Sequence, residues 1–242
     1  MISEQGIKAY QEYVNAPWGK LFYRILHSQL DLETKSNNNL KVLDFGSGFG
    51  ITANYLSTNN DVTGVEPDTK MINNSLKTFN IVKGGFEVLA QLENETYDLV
   101  ICHNVLEYID NSKIVLEQFR RLLKKNGRLS IVKHNLAGKI NSLAVYCESP
   151  GAALSVMKGN HQVESDKFGQ IKYYEINSKT FNHYRVIKEY GIRVFYGNVY
   201  RNEIKYEEKW NEEMFELEMA VCENMVYSNI AFWKHIILEK IP

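Results

Sequence analysis

The segment Val42-Leu43-Asp44-Phe45-Gly46-Ser47-Gly48-Phe49-Gly50 constrains this chain more than any other. An apolar strand runs into an aspartate and then into three glycines at alternate positions. Glycines there let the backbone turn sharply and let a ligand approach with no Cβ in the way. Ile51, Ala53, Tyr55 and Leu56 resume the chain as a helix whose N-terminus faces the same spot. Twenty-two residues after Asp44, the run Asp61-Val62-Thr63-Gly64-Val65-Glu66 reads as a second strand that ends in a carboxylate. An acidic side chain at that place accepts both hydroxyls of a ribose. The bland reading of the glycines alone is a tight strand–helix turn, and the placement of Glu66 weighs against it.

The spacing narrows the ligand. A dinucleotide fingerprint needs G-x-G-x-x-G or A. Counted from Gly46 and Gly48, its third small position falls on Ile51. No Lys-Ser/Thr pair follows to grip a phosphate. A pyrophosphate calls for free N–H groups at a helix N-terminus. S-adenosylmethionine has no phosphate, and its methionine part can lie over the glycine turn.

At 242 residues the chain reads as one domain with an elaboration. Apolar residues make up 44% and aromatics 12%, enough for a buried core. Cys102, Cys147 and Cys222 are not in metal-ligand spacing, so no metal site is expected and the thiols are read as reduced, in a cytoplasmic protein. Met1 to Gly6 lacks a signal sequence, and no apolar run reaches the ~18 residues of a membrane span. The net charge of −1 removes the global basic signature of a nucleic-acid binder without forbidding nucleic acid.

Residues 7 to 34 read as helical, divided near Pro17, with a polar loop at 34–39. Strands are expected near 41–45, 62–66, 81–86, 97–102 and 128–134, with helices between the early ones. Ile114, Leu116, Phe119, Leu122 and Leu123 give one of those helices its apolar spacing. The alternation argues for a parallel sheet covered on both faces. Beyond His134 the expectations are a helix over 144–158 broken at Ser149-Pro150-Gly151, a polar loop at 159–169 and a helix over 178–190. A strand at 191–196, a long helix at 209–226 and a last strand at 230–239 follow.

With the glycine loop, Val65-Glu66-Pro67, YDLVICHNVLEYI and LLKKNGRLSIV, the chain resembles the class I S-adenosylmethionine-dependent methyltransferases over about residues 40 to 134. The resemblance implies an α/β fold: a Rossmann-like, seven-stranded, mostly parallel sheet with helices on both faces and an antiparallel last hairpin. Its implied organisation is a helical lid at 1–35, a cofactor-binding core at 40–134, a substrate-side insertion at 135–190 and closing elements at 191–242. The cofactor-binding residues it implies are Asp44, Gly46, Ser47, Gly48, Glu66, Gly85, Phe86 and His103.

Residues 131–138, 191–195 and 213–222 look similar to a bacterial tRNA methyltransferase group that esterifies the carboxylate of 5-carboxymethoxyuridine. That likeness implies tRNA as partner, with Asn135 and Arg193 orienting the acceptor. The group's N-terminal arginine, which contacts the cofactor's carboxylate, falls on Phe22 here, with Lys20 and Arg24 one turn away as substitutes. A carboxylate is already ionised at neutral pH and needs no general base. A small metabolite with a carboxylate, amine or hydroxyl is the alternative acceptor, and a non-catalytic cofactor-binding module the third reading. His103, Asn135 and Arg193 each have a structural alternative: a packed or capping histidine, a satisfied strand end, an ion-paired arginine. The basic run Arg120-Arg121 with Lys124-Lys125 reads as a solvated face or as a phosphate contact. The oligomeric state is not encoded in any motif.

Overall fold

A computed structural model describes residues 3–34, 39–160, 163–165, 169–177, 179 and 181–241. Two helices precede the first strand, α1 (Glu4–Asn15) and α2 (Pro17–Thr34). Ser3 caps α1 by accepting from the Gly6 N–H, and Pro17 opens α2 where a missing N–H costs nothing.

The core alternates strand and helix. β1 (Lys41–Phe45), α3 (Ile51–Leu56), β2 (Asp61–Glu66), α4 (Thr69–Asn73), β3 (Asn80–Lys83), α5 (Phe86–Leu89), β4 (Tyr97–His103), α6 (Ser112–Leu122) and β5 (Leu123–His134) follow in turn. Then come α7 (Leu136–Val145), α8 (Pro150–Met157), β6 (Val163–Ser165), β7 (Gly169–Ile171), β8 (Tyr184–Ile192), α9 (Glu208–Val221), α10 (Met225–Ser228) and β9 (Trp233–Lys240).

The main sheet has seven strands in the order β3-β2-β1-β4-β5-β9-β8. β1 to β5 pair in parallel, and β9 runs antiparallel to both of its neighbours. This is a Rossmann-like fold. Successive strand residues face opposite sides. Val42, Leu99, Ile101 and Val132 meet Leu21, Phe22, Ile25, Leu26 and Leu30 of α2. Leu43, Val100 and Leu129 face Leu116, Phe119 and Leu122 of α6.

Several expectations are corrected. The helix expected over 178–190 is strand β8; Ser178 and Thr180 lie outside the described residues. Phe181, Tyr184, Ile187 and Tyr190 stand three apart and mimic a helical stripe, but antiparallel pairing with β9 wins, helped by an irregularity between Val186 and Lys188. Strand 191–196 ends at Ile192, because Arg193 takes a left-handed φ of 59°. β3 stops at Lys83 and Phe86 opens a short helix instead of closing a strand. The helix expected over 144–158 begins at Leu136 and breaks over 146–149. The 159–169 loop includes one strand and the start of another in a small antiparallel pair, β6 with β7, and the 209–226 helix ends at Val221. β8 and β9 do pair antiparallel, joined by α9 and α10 rather than by a tight turn.

The N-terminal segment divides by role. α2 is a core helix, whereas α1 touches the body through Ile7, packed on Phe49 and Met71.

Candidate active site

The glycine loop leaves β1 at the point where the strand order reverses, between β1 and β4. Ligands of open α/β sheets bind in the crevice at such a point. Gly46 has φ 77° and a Cβ there would stand 2.4 Å from Val105 Cγ2, so loop packing alone requires glycine. Gly48 has φ 55°, and a Cβ there would meet nothing within 4 Å. Gly48 therefore borders open space kept clear for a ligand. Glu66 at the end of β2 accepts from the Gly48 N–H (2.8 Å) through Oε2 and from the Asp68 N–H (2.9 Å) through Oε1. Each oxygen keeps a lone pair for a further donor. Asp44 is buried beside it; burial first, then the Glu66 charge, push its carboxyl up to about 7.

These groups form the floor of a cleft of about 1040 Å³. Tyr10 and Tyr13 of α1, Trp18 and Phe22 of α2, and His134, Phe232 and Trp233 line it, with the Phe22 and Trp233 rings packed edge to face at 5.0 Å. Five buried polar atoms on cleft residues lack a hydrogen-bond partner among the described residues: Ser47 Oγ, His103 Nδ1, Asn104 Oδ1, Arg193 Nε and Trp233 Nε1. Unpaired buried polar atoms are uncommon and mark places where a ligand or water belongs. Among the described residues no group of three or more His, Cys, Asp or Glu side chains is placed to hold a metal ion.

The structure brings Asp44, Gly46, Ser47, Gly48, Glu66, His103 and Arg193 together on this cleft. It does not bring Gly85, Phe86 or Asn135 there. Phe86 is 54% exposed. The Asn135 amide donates to the carbonyls of Asn229 and Ala231, each at 2.8 Å, and so ties the start of α7 to the turn before β9. Lys20 and Arg24 border another hollow, between α1, α2 and α3. The Arg24 guanidinium is held by both Glu212 oxygens at 2.6 and 2.7 Å and lies over the Phe215 ring.

Arg193 stands over the rings of Tyr196, Phe232 and Trp233 at 5.0 to 5.6 Å. Lys205 also lines the cleft; it is only 4% exposed, donates to Asn202 Oδ1 at 2.9 Å and lies near the Tyr146 and Tyr196 rings. Burial, and then the nearby Arg193 charge, lower the Lys205 pKa. Among the described residues neither cation has a carboxylate ion-pair partner. Glu218 feels the Arg193 charge, but its carboxylate accepts from the N–H groups of Val194, Phe195 and Tyr196 at 2.7 to 2.9 Å. Sequence reading missed Lys205, because it sits in a charge-rich run, 201–209, that looks solvated.

His103, the last residue of β4, bonds Ser130 Oγ through Nε2 at 2.8 Å. The same Oγ bonds His235 Nε2 at 2.8 Å. Desolvation holds both imidazoles well below their ordinary pKa, that of His235 at about 3.

The fold is Rossmann-like, and the cleft lies where ligands of such folds bind. Residues 43–131 match the family model described as a methyltransferase domain. Over 129 residues the chain is 33% identical to the ubiquinone biosynthesis O-methyltransferase of Photobacterium profundum, covering 50% of this chain and 54% of that protein. Over 112 residues it is 33% identical to the ribosomal RNA small subunit methyltransferase G of Mesoplasma florum, covering 42% and 45%. The chain thus spans about half the length of the curated relatives it matches. A SAM-dependent methyltransferase from Archaeoglobus fulgidus superposes with a TM-score of 0.60 over 97% of this chain and 99% of that one, at 16% identity. That likeness is one of fold.

Proposed function

We propose that the protein transfers the methyl group of S-adenosylmethionine to a small acceptor that carries a carboxylate. The open space over Gly48, the unpaired Ser47 hydroxyl and the Glu66 carboxylate fit the cofactor. Glu66 would take the ribose hydroxyls. When bound, the cofactor supplies an electrophilic methyl group on a sulfonium. The chain's own part is to bind, align and desolvate the acceptor.

One observation carries the acceptor reading: Arg193 and Lys205 share the cleft without a carboxylate between them. Two neighbouring cations, Lys205 buried and Arg193 half-buried, favour an anionic guest. The aromatic walls at Trp18, Tyr146 and Trp233 suit a planar body attached to that anion.

The tRNA acceptor implied by the sequence likeness also carries a carboxylate. Two observations favour a small molecule over it. The net charge is −1. Two of the four cations of the basic run are also committed: Arg121 donates to the carbonyls of Leu89 and Leu92, and Lys124 is paired with Asp98 at 2.8 Å.

The test is transfer of tritiated methyl to a small-molecule extract and to fractionated tRNA, side by side. Label is expected in anionic small molecules. Arg193→Ala and Lys205→Ala should each raise the acceptor KM tenfold or more, by about 1.4–3 kcal/mol for a charge-assisted bond. The cofactor Kd should not move. Label confined to tRNA, or an unchanged KM in both variants, would reject the small-anion reading.

A further inference from the structure

We propose that Nδ1 of His103 takes the proton of the acceptor, so that the methylated atom is a hydroxyl oxygen and the carboxylate at Arg193 and Lys205 is a handle. The inference rests on the anionic-acceptor reading for the handle alone. The proton assignment follows from a chain of hydrogen bonds that crosses the sheet.

The chain begins at a group that only accepts, the Gly191 carbonyl. Gln29 Nε2 donates to it at 3.0 Å, which fixes the orientation of that amide. Gln29 Oε1 must then accept, at 2.9 Å, from His235 Nδ1–H. His235 is neutral, so its Nε2 carries a lone pair and accepts from the Ser130 hydroxyl. The Ser130 oxygen, with its proton given away, accepts from His103 Nε2–H. A neutral His103 protonated at Nε2 has a bare Nδ1. That Nδ1 is buried, has no partner among the described residues, and belongs to a cleft residue.

Four hydrogen bonds between strands and helix thus leave a buried acceptor nitrogen on a residue that lines the cleft. Val105, two residues on, is the side chain that abuts Gly46. A carboxylate has no proton to offer at neutral pH. An amine would arrive as an ammonium near two cations, which is unfavourable. A hydroxyl meets both demands. As its oxygen bonds the methyl carbon, its proton becomes strongly acidic and passes to Nδ1. The electron pair of the broken carbon–sulfur bond stays on sulfur. Even a weak base suffices for a proton released in that way.

The experiment uses the full chain, methyl-tritiated S-adenosylmethionine and three probes: protocatechuate, benzoate and catechol. The expected product is a base-stable methyl ether of protocatechuate. His103→Ala should lower its kcat by about 10²–10⁴-fold, the usual contribution of a general base, while the cofactor Kd stays within about threefold. A base-labile methyl ester of benzoate, or an unchanged kcat in His103→Ala, overturns the proposal. Catechol turned over as well as protocatechuate would remove the anionic handle and leave the His103 assignment standing. Nitrogen-15 NMR of the wild type decides independently of turnover and of the variant's folding. A neutral His103 protonated at Nε2 is expected at pH 7, and an Nδ1–H tautomer or an imidazolium overturns the proposal.

Discussion

Glu66 carries two tasks with one carboxylate. It braces the glycine loop through the Gly48 and Asp68 amides, and its remaining lone pairs face the cleft. Glu66→Ala should therefore weaken cofactor binding by about 1–3 kcal/mol, the range for hydrogen bonds to a charged group. Isothermal calorimetry measures it, and an unchanged Kd would remove the ribose role. Asp44 makes a separate pH prediction. Its folded pKa of about 7 lies above its ordinary value of 3.8. The folded state then binds the proton more tightly than the unfolded chain does. The contribution of this group is fully present below about pH 4 and is lost as pH rises through about 7. Asp44→Asn should flatten the fall in Tm of the ligand-free protein between those limits, and melting curves at a series of pH values would show it. A fall of equal slope in the variant would assign it to other groups.

The elements before the first strand behave as two pieces. Ile25 and Leu30 of α2 are fully buried against β1 and β4, and Gln29 of the same helix anchors the hydrogen-bond chain that orients His103. α1 is mostly outside that core, yet Tyr10 and Tyr13 line the cleft. The segment 1–35 expected as a lid thus divides: α2 belongs to the core, and we propose a covering role for α1 alone. Deleting residues 1–16 should leave a folded sheet with weakened cofactor binding and activity. Ile25→Ala should cost about 2–5 kcal/mol of stability in denaturant unfolding, as large-to-small core changes do. Full activity in the deletion would show that α1 does not close the cleft.

At the scale of the molecule, the sheet collects groups that are far apart in sequence beyond the carboxyl ends of its parallel strands. The glycine loop and Glu66 come from the first third of the chain, and Arg193, Lys205 and Trp233 from the last. The charge of the whole chain is nearly balanced, and its cleft cations face inward. No helix among the described residues is long and apolar enough to cross a membrane. Under the proposed function, the acceptor is recognised by the shape and charge of this cleft.

The sequence by itself determined what is local or periodic. The glycines at 46 and 48 and the acid at 66 are read from spacing, since a strand, a turn and the next strand end fix where they point. The parallel pairing of the early strands follows from their alternation with helices. Contacts between distant residues escaped it. Phe181 to Tyr190 has a helical stripe, and only β9 pairing decides that it is a strand from Tyr184 on. Arg193 and Lys205 become a pair because the chain turns left-handed at Arg193 and returns beside Tyr196. The tautomer of His103 depends on a hydrogen bond between Ser130 and His235, which are 105 residues apart. A local pattern records propensity, whereas a proton's position and a cation's neighbours are settled by which surfaces the closed core presses together.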